Sequence, residues 1–118
     1  MTIPGPTHQR HQRTLEFDVN KQRLTRNREC DFSCIIAGSV GYLRAKFNFP
    51  FSCWHGCKKA ASFWVDDKEY AVLLDKDDSC MIPPEALVGS KFYVSVMGAK
   101  PGYKIETTKV KVKQEVIK

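Results

Sequence analysis

Tyr42-Leu43-Arg44-Ala45-Lys46-Phe47-Asn48-Phe49 is a strict alternation: Leu43, Ala45, Phe47 and Phe49 share one parity, and Arg44, Lys46 and Asn48 the other. Successive side chains of an extended chain point to opposite faces, so this stretch reads as a strand with one face in a core and one in water. Pro50 closes it, because proline has no N–H to give to a ladder. Upstream, Leu15, Phe17 and Val19 alternate with Thr14, Glu16 and Asp18, and Asn20-Lys21 reads as a turn. Arg28 to Ala37 is expected to be a second strand, with Phe32 and Cys34 of like parity, interrupted by Gly38-Ser39-Val40-Gly41.

Downstream, Trp54-His55-Gly56-Cys57 lies in a loop and Ala60 to Val65 resumes the extended pattern. Asp66-Asp67-Lys68 turns the chain into Tyr70 to Leu74, and Asp75 to Ser79 forms a polar loop. Ile82-Pro83-Pro84-Glu85-Ala86-Leu87 suits a single helical turn, since proline is tolerated at a helix start. Phe92, Val94 and Val96 alternate again, and Lys100-Pro101-Gly102 is a turn. In the last segment Tyr103, Ile105 and Thr107 share one parity, then Thr108, Val110 and Val112 take it over, which a bulge at Thr107-Thr108 reconciles. About seven short strands with regularly spaced turns point to a sandwich or barrel, and of these we expect an all-β fold, an antiparallel β-sandwich, Ig-like or close to it. No useful amphipathic helix is present, which excludes βαβ architectures and most nucleotide-binding folds.

The chain has 118 residues, 42% hydrophobic and 27% charged, the composition of one globular domain. No run reaches the roughly 18 apolar residues of a membrane span. The start, through His8, Arg10, His11 and Arg13, is polar and basic, so we expect residues 1–13 to be a flexible basic arm rather than a secretory signal. Synthesis in a reducing cytoplasm follows as the expectation. Residues 14–113 are expected to form the sandwich and 114–118 a tail. The formal charge of +6 is concentrated towards the ends and would suit nucleic acid or an acidic protein surface.

Five cysteines, Cys30, Cys34, Cys53, Cys57 and Cys80, argue by their odd number against a disulfide framework. Two pairs at x3 spacing could supply zinc ligands, but on a strand Cys30 and Cys34 would stand roughly 13 Å apart, too far to share an ion. Core packing is the expected role, with Cys34 a small core residue, and no metal or cofactor is expected. His8, His11 and His55 lack a nucleophile and carboxylate to converge with, so no catalytic residue is expected. Turn aspartates hydrogen-bond their own backbone, and Asp75-x-Asp77-Asp78 lacks the remaining ligands of a calcium loop. Tyr42, Arg44, Lys46 and Asn48 could form a nucleic-acid face, although the solvated side of a sheet has the same composition. Trp54 and Trp64 are core or interface anchors. Trp64 is opposite in parity to Phe63 and Val65, so one side of that set faces away from the core.

One succession of residues carries a resemblance. Trp54-x-Gly56-x-Lys58-Lys59-Ala60-x2-Phe63 leads to Tyr70-x-Val72-Leu73-Leu74-Asp75 and Cys80-x-Ile82-Pro83-Pro84-Glu85-x-Leu87. Phe92-x-Val94-Ser95-Val96-x-Gly98 and Ile105-x-Thr107 then lead into Val110-x-Val112. Over residues 14–113 this resembles small β-sandwich domains of structural proteins in phages of Gram-positive bacteria, including the N-terminal domain of baseplate upper proteins and related tail or head-accessory proteins. The resemblance implies a non-enzymatic virion component that contacts other phage structural proteins or copies of itself. Its place would be tail, baseplate or capsid decoration, with no membrane association. Candidate contact residues are Arg10, Arg13, Arg44, Lys46, Trp54, Trp64, Lys111 and Lys113. The alternatives are a nucleic-acid-binding β-barrel and a small zinc-stabilised module. Val110-Lys111-Val112-Lys113 also suits the guarding of an open sheet edge.

Overall fold

The computed structural model describes residues 12–117. Nine strands appear: β1 (Arg13–Asn20), β2 (Arg23–Arg26), β3 (Leu43–Asn48), β4 (Lys58–Val65), β5 (Lys68–Leu73), β6 (Ser79–Met81), β7 (Lys91–Lys100), β8 (Tyr103–Glu106) and β9 (Val110–Lys113). Short 3₁₀ turns occupy Ser52–Trp54 and Pro84–Leu87, the second where the proline pair was expected to start a helical turn. One sheet has the order β2-β1-β3-β6, and the other runs β5-β4-β7 with β8 and β9 both pairing with β7. Their inner faces share a single core. Leu15, Phe17, Val19, Leu43, Ala45 and Phe47 come from the first sheet, and Ala61, Phe63, Phe92, Val94, Val96 and Val112 from the second. At roughly 1.5–3 kcal/mol for each large apolar side chain, this burial is the main favourable term.

The alternation of β1 and β3 places their apolar residues as expected. Phe63, Phe92, Val94 and Val96 also face inward, while Val72 of β5 and Leu74 just past its end are only partly buried. Between β8 and β9 the register against β7 advances by one residue: Met97 pairs with Glu106, but Val94 pairs with Val110. That is the expected bulge. Thr107 N–H donates to Val96 O at 3.0 Å, and Thr107 Oγ1 accepts from Val96 N–H at 2.9 Å.

Three expectations need correction. Strands number nine rather than about seven, because β2 and β6 are very short and the last strand is split by its bulge. The sheets are not wholly antiparallel: β1 and β3 run parallel, from Arg13 opposite Leu43 to Asp18 opposite Asn48. Finally, Arg28 to Ala37 is not a strand but a looped segment whose one ladder-type pairing among the described residues is an isolated parallel bridge between Ile36 and Glu115. Polar side chains there capture the local backbone: Asn27 Oδ1 accepts from Glu29 N–H, and Asp31 Oδ1 from Ser33 N–H. Cys34, at φ 55, turns out of the extended region altogether.

Both ends of the described residues are tied to the body of the fold. Arg13 opens β1, and its guanidinium donates to Cys34 O at 3.2 Å, Asp31 O at 2.8 Å and Ser33 O at 2.7 Å. At the other end Gln114 N–H donates to Ser90 O, and Glu115 N–H to Ile35 O. Of the expected arm, residues 1–11 lie outside the described residues, and so does Lys118 of the expected tail.

Candidate functional site

The parity of β4 decides which side chains meet solvent. Ala61 and Phe63 fill the core, so Ala60, Ser62 and Trp64 lie on the outer face of the five-stranded sheet. Cross-strand pairing continues that face: Glu69 of β5 stands opposite Trp64, Trp64 opposite Tyr93 of β7, and Tyr93 opposite Lys111 of β9. A parallel row holds Leu73, Ala60, Met97 and Glu106. The face is therefore an aromatic and apolar centre with lysines 91, 109, 111 and 113 along one border. Trp64 is fixed from two sides. Its Nε1–H donates to Ser95 Oγ at 3.0 Å, and Lys109 Nζ sits 3.7 Å from the ring centroid. Such a cation–π contact contributes about 0.5–1 kcal/mol when exposed. The Ser62 hydroxyl, buried although on this outer face, donates to Glu69 Oε2. The result is a preordered surface of the kind that forms interface anchors.

The other sheet presents charges that are already matched. Arg44 donates to Asp75 Oδ2 at 3.1 Å and to Ser79 Oγ at 2.9 Å, and Lys46 donates to Asp77 O at 2.7 Å. The Ser79 hydroxyl donates to Asp77 Oδ1, which holds that carboxyl below its ordinary pKa, and the Lys46 and Arg44 charges act in the same direction. Glu16 and Asp18 lie alongside, both accepting from Asn48 Nδ2. The expected basic face is thus interleaved with acid, and an incoming phosphate would have to displace these partners.

No family model, curated protein or solved structure matches the chain. Its surface chemistry has to be read from its own residues.

Of the candidate contact residues, Trp64, Lys111 and Lys113 share the outer face of the five-stranded sheet, whereas Arg44 and Lys46 belong to the other sheet. Arg10 lies outside the described residues. Arg13 is expended on the 31–34 loop, and Trp54 is wholly buried: its Nε1–H donates to Lys21 O at 2.7 Å, and its ring packs against Phe49. Both therefore hold the fold together. Tyr93, Lys109, Leu73 and Met97 were missed. The alternation that places Phe92, Val94 and Val96 inside already places Tyr93 outside, but Lys109 lies in the bulge, where parity gives no guide.

The cysteines scatter. Cys80 is buried opposite Ala45, and burial pushes its thiol up to about 12. Cys34, expected in the core, is exposed, and Cys30 is half-buried with its Sγ accepting from Glu16 N–H at 3.3 Å. Cys53 and Cys57 pack at the core margin, where Tyr103 Oη donates to Cys53 O at 2.7 Å. Desolvation raises the Tyr103 pKa, with smaller contributions from Cys53 and Cys57. Among the described residues no three His, Cys, Asp or Glu side chains form a group able to hold a metal ion.

Proposed function

We propose that this chain is a non-enzymatic structural component of a tailed-phage particle, in the tail or baseplate or as a capsid accessory, and that it works through protein–protein contacts. The observation that carries the reading is the Trp64–Tyr93 row on the outer face of the five-stranded sheet, held in one geometry and bordered by lysines. Preordered aromatics on a sheet lose little conformational freedom when a partner covers them. The residues behind the phage resemblance support the same division of labour. Trp54, Phe63, Ile82, Leu87, Phe92, Val94 and Val96 of that pattern are buried and hold the fold, which leaves the outer surface for contacts. The Ig-like type of the sandwich belongs to this proposal, and variable-type Ig domains likewise have nine strands in two sheets. The protein would be made in the host cytoplasm and reside in the virion.

Two details favour a protein partner over nucleic acid. Lys109 already caps the Trp64 ring, leaving less room for a stacked base, and Arg44 and Lys46 are engaged by Asp75, Ser79 and Asp77. The deciding experiment is mass spectrometry on virus-like particles purified from an induced culture of the source organism. Stoichiometric amounts of the chain in intact particles are the expected result, and head and tail fractions then locate it. Its absence from clean particles would end the proposal. A salt-dependent nucleic-acid titration would come next.

A further inference from the structure

Sheet edges are where a β protein meets other chains, because an edge strand carries backbone groups with no partner. Three of the edges here are short or guarded. β6 is brief and is approached by the chain itself, with Asp75 N–H donating to Ser79 O. β2 is brief and arginine-bearing, and Leu24 N–H is taken by Thr108 Oγ1. β9 is bracketed by two cross-sheet bonds, Thr108 N–H to Gln22 O and Glu115 N–H to Ile35 O, and its solvent-side residues are lysines.

β5 differs. It pairs only with β4, and Leu74 N–H donates to Lys59 O. In an antiparallel ladder alternate residues point their N–H and C=O to the same side. Lys68, Tyr70 and Val72 therefore face β4, while the N–H and C=O groups of Glu69, Ala71 and Leu73 face away. Among the described residues nothing pairs with them. The strand is Lys68-Glu69-Tyr70-Ala71-Val72-Leu73, free of proline and bulge, and Leu73 is 72% exposed.

We infer that the β5 edge is a self-association site, where a second copy adds its own β5 antiparallel about a two-fold axis through Ala71. The strand is complementary to itself in that register. Ala71 meets the partner's Ala71 and Glu69 meets the partner's Leu73, each pair exchanging both backbone hydrogen bonds. Between them Tyr70 meets the partner's Val72, an aromatic against a β-branched side chain, which is a favourable cross-strand pair. The small Ala71 keeps the axis clear. Beyond Leu73 the free edge ends, because Asp75 N–H, which points to the same side, is already taken by Ser79 O. The two five-stranded sheets become one continuous sheet, and the interface is isologous and closed. The inference stands independently of the particle assignment.

The test is sedimentation equilibrium of the full chain over a concentration series, with Leu73→Lys and Ala71→Pro alongside and circular dichroism confirming each fold. Ala71 N–H faces the free edge, so proline removes no bond of the β4–β5 ladder. Leu73→Lys alters an exposed side chain and copies the guard found on β9. A concentration-dependent dimer is expected for the wild type, weakened by at least about tenfold in each variant. A wild-type monomer throughout the series would overturn the inference, as would a dimer indifferent to both variants. A monomer that dimerises only after removal of residues 1–11 would also overturn it, by making that segment the occupant of the edge.

Discussion

Gly98 sits in mid-strand because of Trp54. A Cβ built at Gly98 would lie 2.9 Å from two carbons of the indole and 3.1 Å from Cys57 Cβ, closer than carbons pack. The buried 3₁₀ turn that carries Trp54 has no room to retreat, so we expect Gly98→Ala to cost about 1–3 kcal/mol in urea unfolding. The cost should shrink in a Trp54→Phe background, because the clash is with the part of the indole that phenylalanine lacks, and the two changes will not add. Cys80 makes a second residue-scale prediction. Its thiol titrates at 9.0 when unperturbed and at about 12 in its buried site. The folded state therefore holds the proton more tightly than the unfolded state. The contribution is complete below pH 9 and is lost as pH rises from 9 towards 12, by at most about 1.4 kcal/mol per pH unit. The comparison is with Cys80→Ala, whose stability should fall less steeply there.

The bulge between β8 and β9 leaves Val96 N–H without a ladder partner, and the Thr107 hydroxyl supplies one while donating to Thr108 O. Thr107→Val keeps the shape and removes the acceptor. The expected loss is about 1–3 kcal/mol, the cost of an unsatisfied buried donor, together with faster amide exchange at Val96. This bulge was legible in the sequence because a one-residue slip reverses parity, and the valines of the final strand reveal it. β1, β3, β4 and β7 were legible for the same reason. β2 was not, since Arg23–Arg26 buries only Leu24 and a single apolar residue has no period. The segment 28–37 misled for the opposite reason: its apolar residues sit among Asn27 and Asp31, whose side chains bind nearby backbone and dissolve the strand, with the Ser33 hydroxyl donating to the Asp31 carboxylate. Trp64 was identified as a residue whose side depended on Phe63, and the core settled it. The lysine border depends on which strands lie side by side, which no local pattern specifies.

At the scale of the molecule the segments flanking β9 join the five-stranded sheet to β2, through Thr108 and Leu24, and to the looped segment before β3. Ala37 N–H donates to Glu115 O, Glu115 N–H to Ile35 O, and Gln114 Nε2 to Gly89 O. A chain ended at Lys113 should therefore show faster amide exchange through residues 35–38 while the β4–β5 hairpin keeps its protection. The parallel pairing of β1 with β3 has a consequence in time. The two strands lie on opposite sides of the β2 excursion, and residues 27–42 must pass around the start of β1, with Arg13 gripping three carbonyls, before Leu43 can meet Arg13. Closing so long a loop loses entropy before any contact repays it, whereas the β4–β5 and β7–β8 hairpins close locally. Val72→Ala in the first hairpin should slow refolding in stopped-flow mixing, and Ala45→Gly in β3 should chiefly quicken unfolding. The newly made chain would then hold its second sheet ready while the first is still being threaded, so the order in which the protein matures is the reverse of the order in which it is synthesised.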